Sequence, residues 1–330
     1  MNLALSAEQQ QFAASLHEML AASDGPAAAR AWAGGDRKPG LGIWCALADA
    51  GVTGLMVAPE FGGLGADPAE LVIACEEMGH HAVPGPVAES LAAVPELLAA
   101  AEAGPRIADW LAGLASGELI ATLAAPPWLP CAADADCAGL VLLAEPGRLS
   151  LAEAGELHRS VDPARTLAEI TAGEVLAEGR DVTRALDRGA LACAAQLLGL
   201  GRALLEFAAE HARQRVQFGQ PVGAFQAVKH QLADVAIALE FARPLLLGAA
   251  VSVGAHQPDA ARDVSAAKVA CADAASLAAR TALQVHGAIG YTAEHDLSLF
   301  LTKARALAPA WGSPAEHRAR VLAAITGAGR

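Results

Sequence analysis

The sequence predicts a mainly α-helical protein with a small β segment in the middle of the chain. The 330 residues are 54% hydrophobic and 18% charged, only 4% are aromatic, and alanine, leucine and glycine are abundant. Alanine and leucine are strong helix formers, whereas the β-branched residues that favour strands are sparse. Apolar residues recur at helical spacing over long stretches near both ends of the chain. Between them, the composition changes to short apolar runs separated by turn residues.

Residues 1–115 are predicted to form an N-terminal helical domain. Ser6 stands where an N-cap is expected, before a helix that continues to about residue 23. A second helix, "GIWCALADAG", ends at Gly51. The Gly/Pro-rich loop "VAPEFGGLGADPAE" leads to another helix, for which Asp67 and Pro68 supply the cap and first position. Prolines then divide the remaining helical pattern into short pieces.

Residues 116–182 are predicted to form a reduced middle β-domain of about five short, weak strands. Residues 183–330 are predicted to form a C-terminal four-helix bundle with an appended helix. Three long helical patterns dominate this last part, at 184–216, 226–253 and 258–287. Small residues on them allow the helix backbones to approach closely. These residues are Ala194, Ala195, Gly199, Ala250, Ala266, Ala270 and Ala274.

Charge and composition exclude several classes of protein. The formal net charge of −13 argues against binding to nucleic acid or to an anionic membrane surface. The first 20 residues lack the basic segment and uninterrupted apolar core of a signal peptide. No stretch approaches 18 uninterrupted apolar residues, and the longest candidate contains Arg243, Pro244 and Gly248. We therefore expect a cytoplasmic protein without a membrane span.

No metal site is predicted. The six cysteines are scattered without a Cys-x-x-Cys pair, which is typical of reduced, buried thiols. His80 and His81 are adjacent, and neighbouring residues on a helix point in different directions, so they make a poor metal-binding pair.

Two motifs carry the functional signal. One is "RVQFGQPVGAFQAVKHQLAD" at 215–234, which has no acidic residue before Asp234, and the other is "QVHGAIGYTAEHDLSLFLTKARA" at 284–306. In this order, and with "APEFGGLG" near the N-terminus, they resemble the acyl-CoA dehydrogenase family over essentially the whole chain. The resemblance implies a helical–β–helical fold and α,β-dehydrogenation of a CoA thioester. In that reaction a carboxylate removes a proton and the flavin of FAD accepts a hydride.

The resemblance also implies which residues contact the cofactor. In the family, each FAD lies between two subunits. One of them contacts the cofactor of the other through an arginine, glutamines and a glycine-containing turn. Arginine offers a planar fork of donors to a diphosphate, and glutamine can both donate and accept. Glycine lets the backbone approach closely, although Ala288 stands where the family has a second glycine. The implied contacts are Arg215, Gln217, Phe218, Phe225, Gln226, Gln284, Gly287 and Ala288.

The same resemblance identifies no catalytic base in this chain. The family places its glutamate at one of two positions, which are occupied here by Trp311 and Gly189. An indole and a hydrogen atom cannot abstract a proton. The middle segment also lacks the family's flavin-binding sequences, and Trp128 is either a remnant of them or a packed aromatic residue.

The chain keeps the residues that contact a neighbouring subunit's FAD, but it lacks the base and the sequences that bind its own flavin. This combination implies a partner subunit. The chain resembles the smaller, non-catalytic subunits of actinobacterial heteromeric (α2β2) acyl-CoA dehydrogenases of steroid and cholesterol degradation. The expected partner is a larger catalytic subunit that holds the glutamate, binds most of the acyl-CoA and shares FAD with this chain. The implied substrate is a bulky CoA thioester.

Two alternatives remain open. The chain can be a self-sufficient homomeric enzyme with a relocated base, for which Glu60, Glu240 and Glu294 are candidates. Alternatively, it is a structural or regulatory paralogue without flavin. Ala288 and the thin middle segment favour the latter alternative, and Arg215 and Gln226 oppose it.

Overall fold

The computed structural model describes residues 3–101 and 104–327 and confirms the predicted fold class. An N-terminal layer of helices precedes a small sheet, and a bundle of long helices follows it. The N-terminal helices are α1 (Ala7–Ala21), α2 (Gly25–Ala33), α3 (Lys38–Asp49), α4 (Pro68–His80), α5 (Val94–Ala100) and α6 (Pro105–Ser116). A 3-10 turn at Pro59–Phe61 precedes α4, and a π-helical turn at Glu89–Ala93 leads into α5.

Side-chain capping is seen at the beginnings of α1 and α2. The Ser6 hydroxyl accepts from the Gln9 backbone N–H, and the Gln9 side chain accepts from the Ser6 backbone, which forms a capping box. Asp67 is the N-cap of α4, as predicted. Helix α2 was not predicted, and it begins after Asp24, whose φ of +47° is unusual for a residue other than glycine.

The middle of the chain forms a five-stranded sheet with the order β1-β3-β4-β5-β2. Its strands are β1 (Ala121–Ala124), β2 (Ala132–Ala133), β3 (Leu140–Glu145), β4 (Gly147–Arg159) and β5 (Thr166–Arg180). Only β1 and β3 pair in parallel, with Ala121 opposite Leu140. The expectation of uniformly short strands is wrong for β4 and β5, because these two pair with each other along 13 and 15 residues and stabilise an exposed antiparallel ribbon.

The last part of the chain is a helical bundle, as predicted. It contains α7 (Thr183–Gln214), α8 (Gln226–Gly254), α9 (Ala260–His286), α10 (Leu297–Leu307) and α11 (Pro314–Thr326). A small hairpin of β6 (Val216–Gln217) and β7 (Gln220–Pro221), followed by a 3-10 turn at Val222–Ala224, connects α7 to α8. A second 3-10 turn, Gly287–Tyr291, follows α9.

Helices α4 and α7 cross in direct backbone contact, which joins the N-terminal layer to the bundle. A Cβ atom at Gly199 would lie 1.9 Å from the Glu76 carbonyl oxygen, and one at Gly79 would lie 2.2 Å from the Gln196 carbonyl oxygen. Neither distance is possible between real atoms, so each glycine is required by space. Arg202 adds an ionic bond to Glu76 across the same crossing, at 2.8 Å.

Helices α7 and α8 are both long and apolar enough to cross a membrane by length and composition. The apolar part of α7 is 78% buried inside the bundle, so its composition is explained by core packing. The corresponding part of α8 is only 39% buried. Its outer face exposes Ile237, Phe241 and Leu245, which are four residues apart and therefore lie on one stripe.

Candidate functional site

The two sequence motifs meet at one end of the bundle. The imidazole rings of His211, in the last turns of α7, and His286, at the end of α9, are stacked with their centroids 4.2 Å apart. This contact holds the C-terminal ends of both helices together. Arg215 directly follows α7, Gly287 directly follows α9, and Gln226 begins α8 after the short connection. Residues more than 60 positions apart in sequence therefore form one surface.

The β6–β7 hairpin shapes the first motif. Its two central residues, Phe218 and Gly219, have φ angles of +53° and +82°, which is the pattern of a type I′ turn. The Val222 N–H donates to the Arg215 carbonyl oxygen at 2.8 Å and closes the hairpin. Phe218 is 90% exposed, and its ring is T-shaped to that of Phe225 at a centroid distance of 6.1 Å.

The polar residues of the predicted set are available for a ligand. Arg215, Gln217, Gln226 and Gln284 are all exposed. Within the described part of the chain, none of their side chains forms a hydrogen bond or an ion pair. One guanidinium group and the carboxamide groups beside it can donate several hydrogen bonds to an anion. These donors fit the diphosphate of a dinucleotide such as the FAD implied by the resemblance.

Gly287 has a backbone conformation that other residues rarely adopt, with φ +65° and ψ −144°. A Cβ atom placed there would meet nothing within 4 Å inside this chain. Glycine is therefore required by the turn itself, and the space in front of it is open. Ala288 is exposed and is not among the residues with positive φ, so the alanine fits this backbone without strain.

Gly189 and Trp311, the two positions implied for a catalytic glutamate, are in contact although they are 122 positions apart. A Cβ atom at Gly189 would lie 2.1 Å from the Trp311 ring. Trp311 is only 1% exposed, and its indole lies against the α7 backbone at Gly189. The tryptophan therefore fills the space that a side chain at position 189 would need, and no carboxylate stands at either position.

Buried polar groups hold the Trp311 segment in place. His317 Nε2 donates to the Trp311 carbonyl oxygen at 2.8 Å, and its Nδ1 lies 3.1 Å from the Ser265 hydroxyl oxygen. Lys268, which is fully buried, donates to the carbonyl oxygens of Leu307 and Ala308 at 3.2 and 2.9 Å, and burial lowers its pKa. The resulting loop is rigid, because its carbonyl groups are bonded to side chains from α9 and α11.

The burial of His317 predicts a measurable pH dependence. Burial lowers the pKa of His317 to about 4, so the folded protein takes up this proton later than the unfolded chain as the pH falls. The stability that the protein gains from burying neutral His317 is complete above about pH 6.5, and it is lost as the pH falls towards 4. Between pH 7.5 and 5, we expect His317 to account for about 2 kcal/mol of lost unfolding free energy.

Urea denaturation at both pH values measures this effect in the wild type and in His317→Gln, whose amide group does not titrate between them. The variant is expected to lose about 2 kcal/mol less on acidification. His256→Gln is the matched control, because His256 is exposed at the end of α8. Equal pH dependence in His317→Gln and the wild type would contradict the assignment.

A cleft of about 510 Å³ lies between the sheet and the loop that leads into α11. Trp128 lines it and packs against His317, with ring centroids 5.1 Å apart, so this residue is a packed aromatic at the edge of the cleft. Pro130, Pro309 and Pro314 also line it and contribute no backbone N–H group. Arg165, Arg305 and Ser160 line it as well, so the cleft carries side-chain donors beside its apolar walls.

The three candidates for a relocated base, Glu60, Glu240 and Glu294, are all exposed. Sequence reasoning missed a fourth carboxyl group, that of Glu89 in the π-helical turn, which lies beside the buried Trp311 indole. Burial raises the pKa of Glu89, and only 4% of the residue is exposed. Its one sequence signal is an acidic residue inside an otherwise apolar run, "VAESLAAVPELL".

Comparisons with known proteins agree with this architecture. The profile of the acyl-CoA dehydrogenase N-terminal domain matches residues 6–118, and that of the C-terminal domain matches residues 178–326. The chain is 33% identical to acyl-CoA dehydrogenase IpdE2 of Mycobacterium tuberculosis (strain ATCC 25618 / H37Rv) over 312 residues, which cover 94% of each protein.

Two solved structures share the fold at low sequence identity. The ChsE4-ChsE5 complex from Mycobacterium tuberculosis matches with a TM-score of 0.84 and 22% identity, over 99% of both chains. A variant of the Tcur3481-Tcur3483 steroid ACAD matches with a TM-score of 0.85 and 22% identity, over 98% of this chain and 99% of that one.

Proposed function

The chain belongs to the acyl-CoA dehydrogenase family, and on this basis we propose that it is the non-catalytic subunit of a heteromeric, FAD-dependent acyl-CoA dehydrogenase. The observation that carries the proposal is the contact between Trp311 and Gly189. The Trp311 indole occupies the space that a catalytic glutamate side chain would need in this chain. The surface formed by Arg215, Gln226 and Gln284 remains exposed. A chain with this combination needs a second subunit to complete an active site.

The chain's role is to bind and orient the cofactor. When bound, FAD supplies the hydride acceptor for oxidation of the thioester. Arg215 would pair with the diphosphate through its planar fork of donors, which favours an anionic group held in one orientation. Gln217, Gln226 and Gln284 would bond to the nucleotide portion, and Gly287 would let its backbone approach. Phe218, Phe225 and Ala288 would pack at the rim of the same surface.

The outer face of α8 supports contact with another subunit. Ile237, Phe241 and Leu245 form an exposed apolar stripe on the helix that begins with Gln226. A continuous apolar stripe is typical of a helix that packs against a partner. We propose a larger catalytic partner in an α2β2 assembly with two shared FAD molecules. The heteromeric nature of the ChsE4-ChsE5 complex, which has the same fold, supports this arrangement.

The proposed substrate is a bulky CoA thioester, and the similarity to a steroid ACAD supports a steroid-derived acyl group. The partner would bind most of it, because Trp311 closes the corresponding space in this chain. The proposal includes a cytoplasmic location. It also includes division of the chain into domains at 1–115, 116–182 and 183–330, with the first boundary at the end of α6 and the second at the start of α7.

Co-expression tests the proposal. The chain is purified alone and together with a larger acyl-CoA dehydrogenase from the same organism, and both samples are examined for flavin absorbance and for reduction of a dye by acyl-CoA. We expect the chain alone to be colourless and inactive, and the complex to contain one FAD per pair of unlike subunits.

Two outcomes would contradict the proposal in different ways. A yellow, active protein from the chain alone would establish the self-sufficient alternative. A stable complex with the partner in which the FAD content equals that of the partner alone would favour a structural paralogue. A partner carrying alanine in place of its catalytic glutamate provides the control, because its complex should bind FAD and reduce no dye.

A further inference from the structure

A cluster of three histidines lies where α1, α4 and α7 meet. His17 is on α1, His80 is the last residue of α4, and His81 follows it. One ring nitrogen from each residue lies within 4.8 Å of the other two. The ring centroids are 5.1 Å apart for His17 and His80, 4.8 Å for His17 and His81, and 4.9 Å for His80 and His81.

The end of α4 explains why neighbouring histidines face each other. A helical pair would point in different directions, as the sequence suggested. His81, however, is the C-cap of α4, with φ −99° and ψ +10°, so its backbone has left the helix. Its ring turns towards that of His80, and His17 of α1 completes the triangle. The expectation that His80 and His81 diverge is therefore wrong.

We propose that His17, His80 and His81 bind a divalent transition-metal ion, for which Zn²⁺ is the best match. Imidazole nitrogen is a preferred ligand of Zn²⁺, with a bond length of about 2.0–2.1 Å. Three imidazoles on one tetrahedral ion place their ring centroids roughly 5 Å apart, since each centroid lies about 1.1 Å behind its nitrogen. The three observed centroid distances match that arrangement.

The nitrogen atoms have the partners that a metal site requires. His80 Nδ1 is buried and has no hydrogen-bond partner within the described residues. The other nitrogen of that ring, Nε2, lies 3.3 Å from the Glu206 carboxylate. A carboxylate on the far nitrogen of a metal-binding histidine fixes the tautomer and orients the ring. His81 Nε2 and His17 Nδ1 are 3.2 Å apart, close to the separation of roughly 3.3 Å between two nitrogen ligands of one tetrahedral ion.

Glu77 is placed to be the fourth ligand. Its Oε2 atom lies 2.9 Å from His17 Nδ1, while its Oε1 atom accepts from Arg202 at 2.8 Å. Glu76 and Glu206 are the other carboxylates of the cluster, and Arg202 and Arg243 are its guanidinium groups. Three carboxylates against two guanidinium groups leave a negative charge before a cation binds. This negative charge attracts a divalent cation, whereas a site for an anion would carry positive charge.

The site is accessible, and its ligands can close around an ion. A cavity of about 340 Å³, lined in part by His80, His81, Glu206 and Phe207, leads to it from solvent. The His17 side chain is 44% exposed, so it can rotate to shorten the nitrogen separations. Four protein ligands would leave no open position, which is typical of a structural Zn²⁺ site. The ion would link α1 to the end of α4 beside the α4–α7 crossing.

Zn²⁺ titration of the full chain tests the proposal. The chain is treated with EDTA, dialysed and titrated with ZnCl₂ by calorimetry, and the bound metal is counted by elemental analysis. We expect one Zn²⁺ per chain, and a tetrahedral absorption spectrum when Co²⁺ is used instead. His17→Gln should weaken binding by at least about 100-fold, because it removes a direct ligand, and Glu206→Gln by about 10-fold.

The exposed His256 supplies a matched control, and His256→Gln should bind Zn²⁺ as tightly as the wild type. Uptake of less than half an equivalent, or equal affinity in His17→Gln and His256→Gln, would overturn the proposal. Far-UV circular dichroism verifies that each variant is folded, and His17 is suited to the test because its side chain is partly exposed. The titration involves neither FAD nor a partner, so its result is independent of the proposed function.

Discussion

Replacing Trp311 with alanine is expected to lower the unfolding free energy of the chain by about 3–5 kcal/mol, the usual cost of removing a buried tryptophan. The indole is among the largest fully buried side chains, and its surroundings cannot collapse easily. It packs against the α7 backbone at Gly189, and the carbonyl groups beside it are bonded to His317 and Lys268. Urea denaturation followed by far-UV circular dichroism measures the loss without relying on tryptophan fluorescence.

A double-mutant cycle with Gly189 identifies the cause. Gly189→Ala alone should cost about 2–3 kcal/mol, because its methyl group would lie 2.1 Å from the Trp311 ring. In the Trp311→Ala background the same change should be neutral or stabilising, because the clash is gone and alanine favours a helix by about 1 kcal/mol. The two positions should therefore be coupled by about 2–4 kcal/mol.

Gly42→Ala is the matched control for this cycle. Gly42 lies on α3, and a Cβ atom there would meet nothing within 4 Å. The change should stabilise the chain by at most about 1 kcal/mol, whichever residue occupies position 311. A cost below 0.5 kcal/mol for Gly189→Ala, on the order of the error in additivity, would show that the indole does not fill this space.

The cycle also bears on function. If the chemistry takes place on the partner, then Trp311→Phe, a milder change, should leave the rate of dye reduction per bound FAD unchanged in the complex. A fall in that rate would mean that Trp311 contacts the substrate, and would contradict a purely space-filling role.

Much of the helical architecture could be predicted because its signals are local. Ser6 and Asp67 mark helix starts in the sequence, and the long apolar patterns identify α7, α8 and α9. Helix α2 was missed because its N-cap, Asp24, adopts a left-handed conformation that a sequence pattern does not reveal. The length of the β4–β5 ribbon was missed because much of it is exposed, so its stability depends on strand pairing rather than on apolar content.

In the candidate site, too, some residues could be predicted from local sequence and others could not. Arg215, Gln226 and Gln284 could be named because short motifs carry them. That Gly189 and Trp311 touch could not be inferred from their spacing, because the contact depends on how α7 and the α10–α11 loop pack. Glu89 was missed because its carboxyl group becomes distinctive only when burial and the Trp311 indole surround it. The histidine cluster was missed because His81 leaves the helix at its last turn.

Replacing Arg215 with alanine is expected to weaken FAD binding to the complex by about 1.5–3 kcal/mol, the scale of a hydrogen bond to a charged group. This corresponds to a rise in Kd of roughly 10- to 150-fold. Arg215 is exposed and has no ion-pair partner among the described residues, so the substitution leaves no charge unpaired within the chain. The loss should therefore fall on ligand binding rather than on folding. Titration of the flavin-free complex with FAD measures it.

Arg213→Ala is the matched control, because Arg213 is two residues away, is also exposed and pairs with Glu210 at 3.2 Å. It should leave the FAD affinity within about twofold of the wild type, since surface ion pairs contribute little. Arg215→Lys should give an intermediate loss, because it keeps the charge without the planar fork.

At saturating FAD, the rate of dye reduction should be nearly the same in Arg215→Ala and in the wild-type complex, because a contact to the diphosphate does not act on the reacting carbon atoms. A lower rate at saturation would place Arg215 near the flavin ring instead. Unchanged affinity would show that the arginine does not reach the cofactor, and the exposed end of the bundle would then bind the partner protein alone.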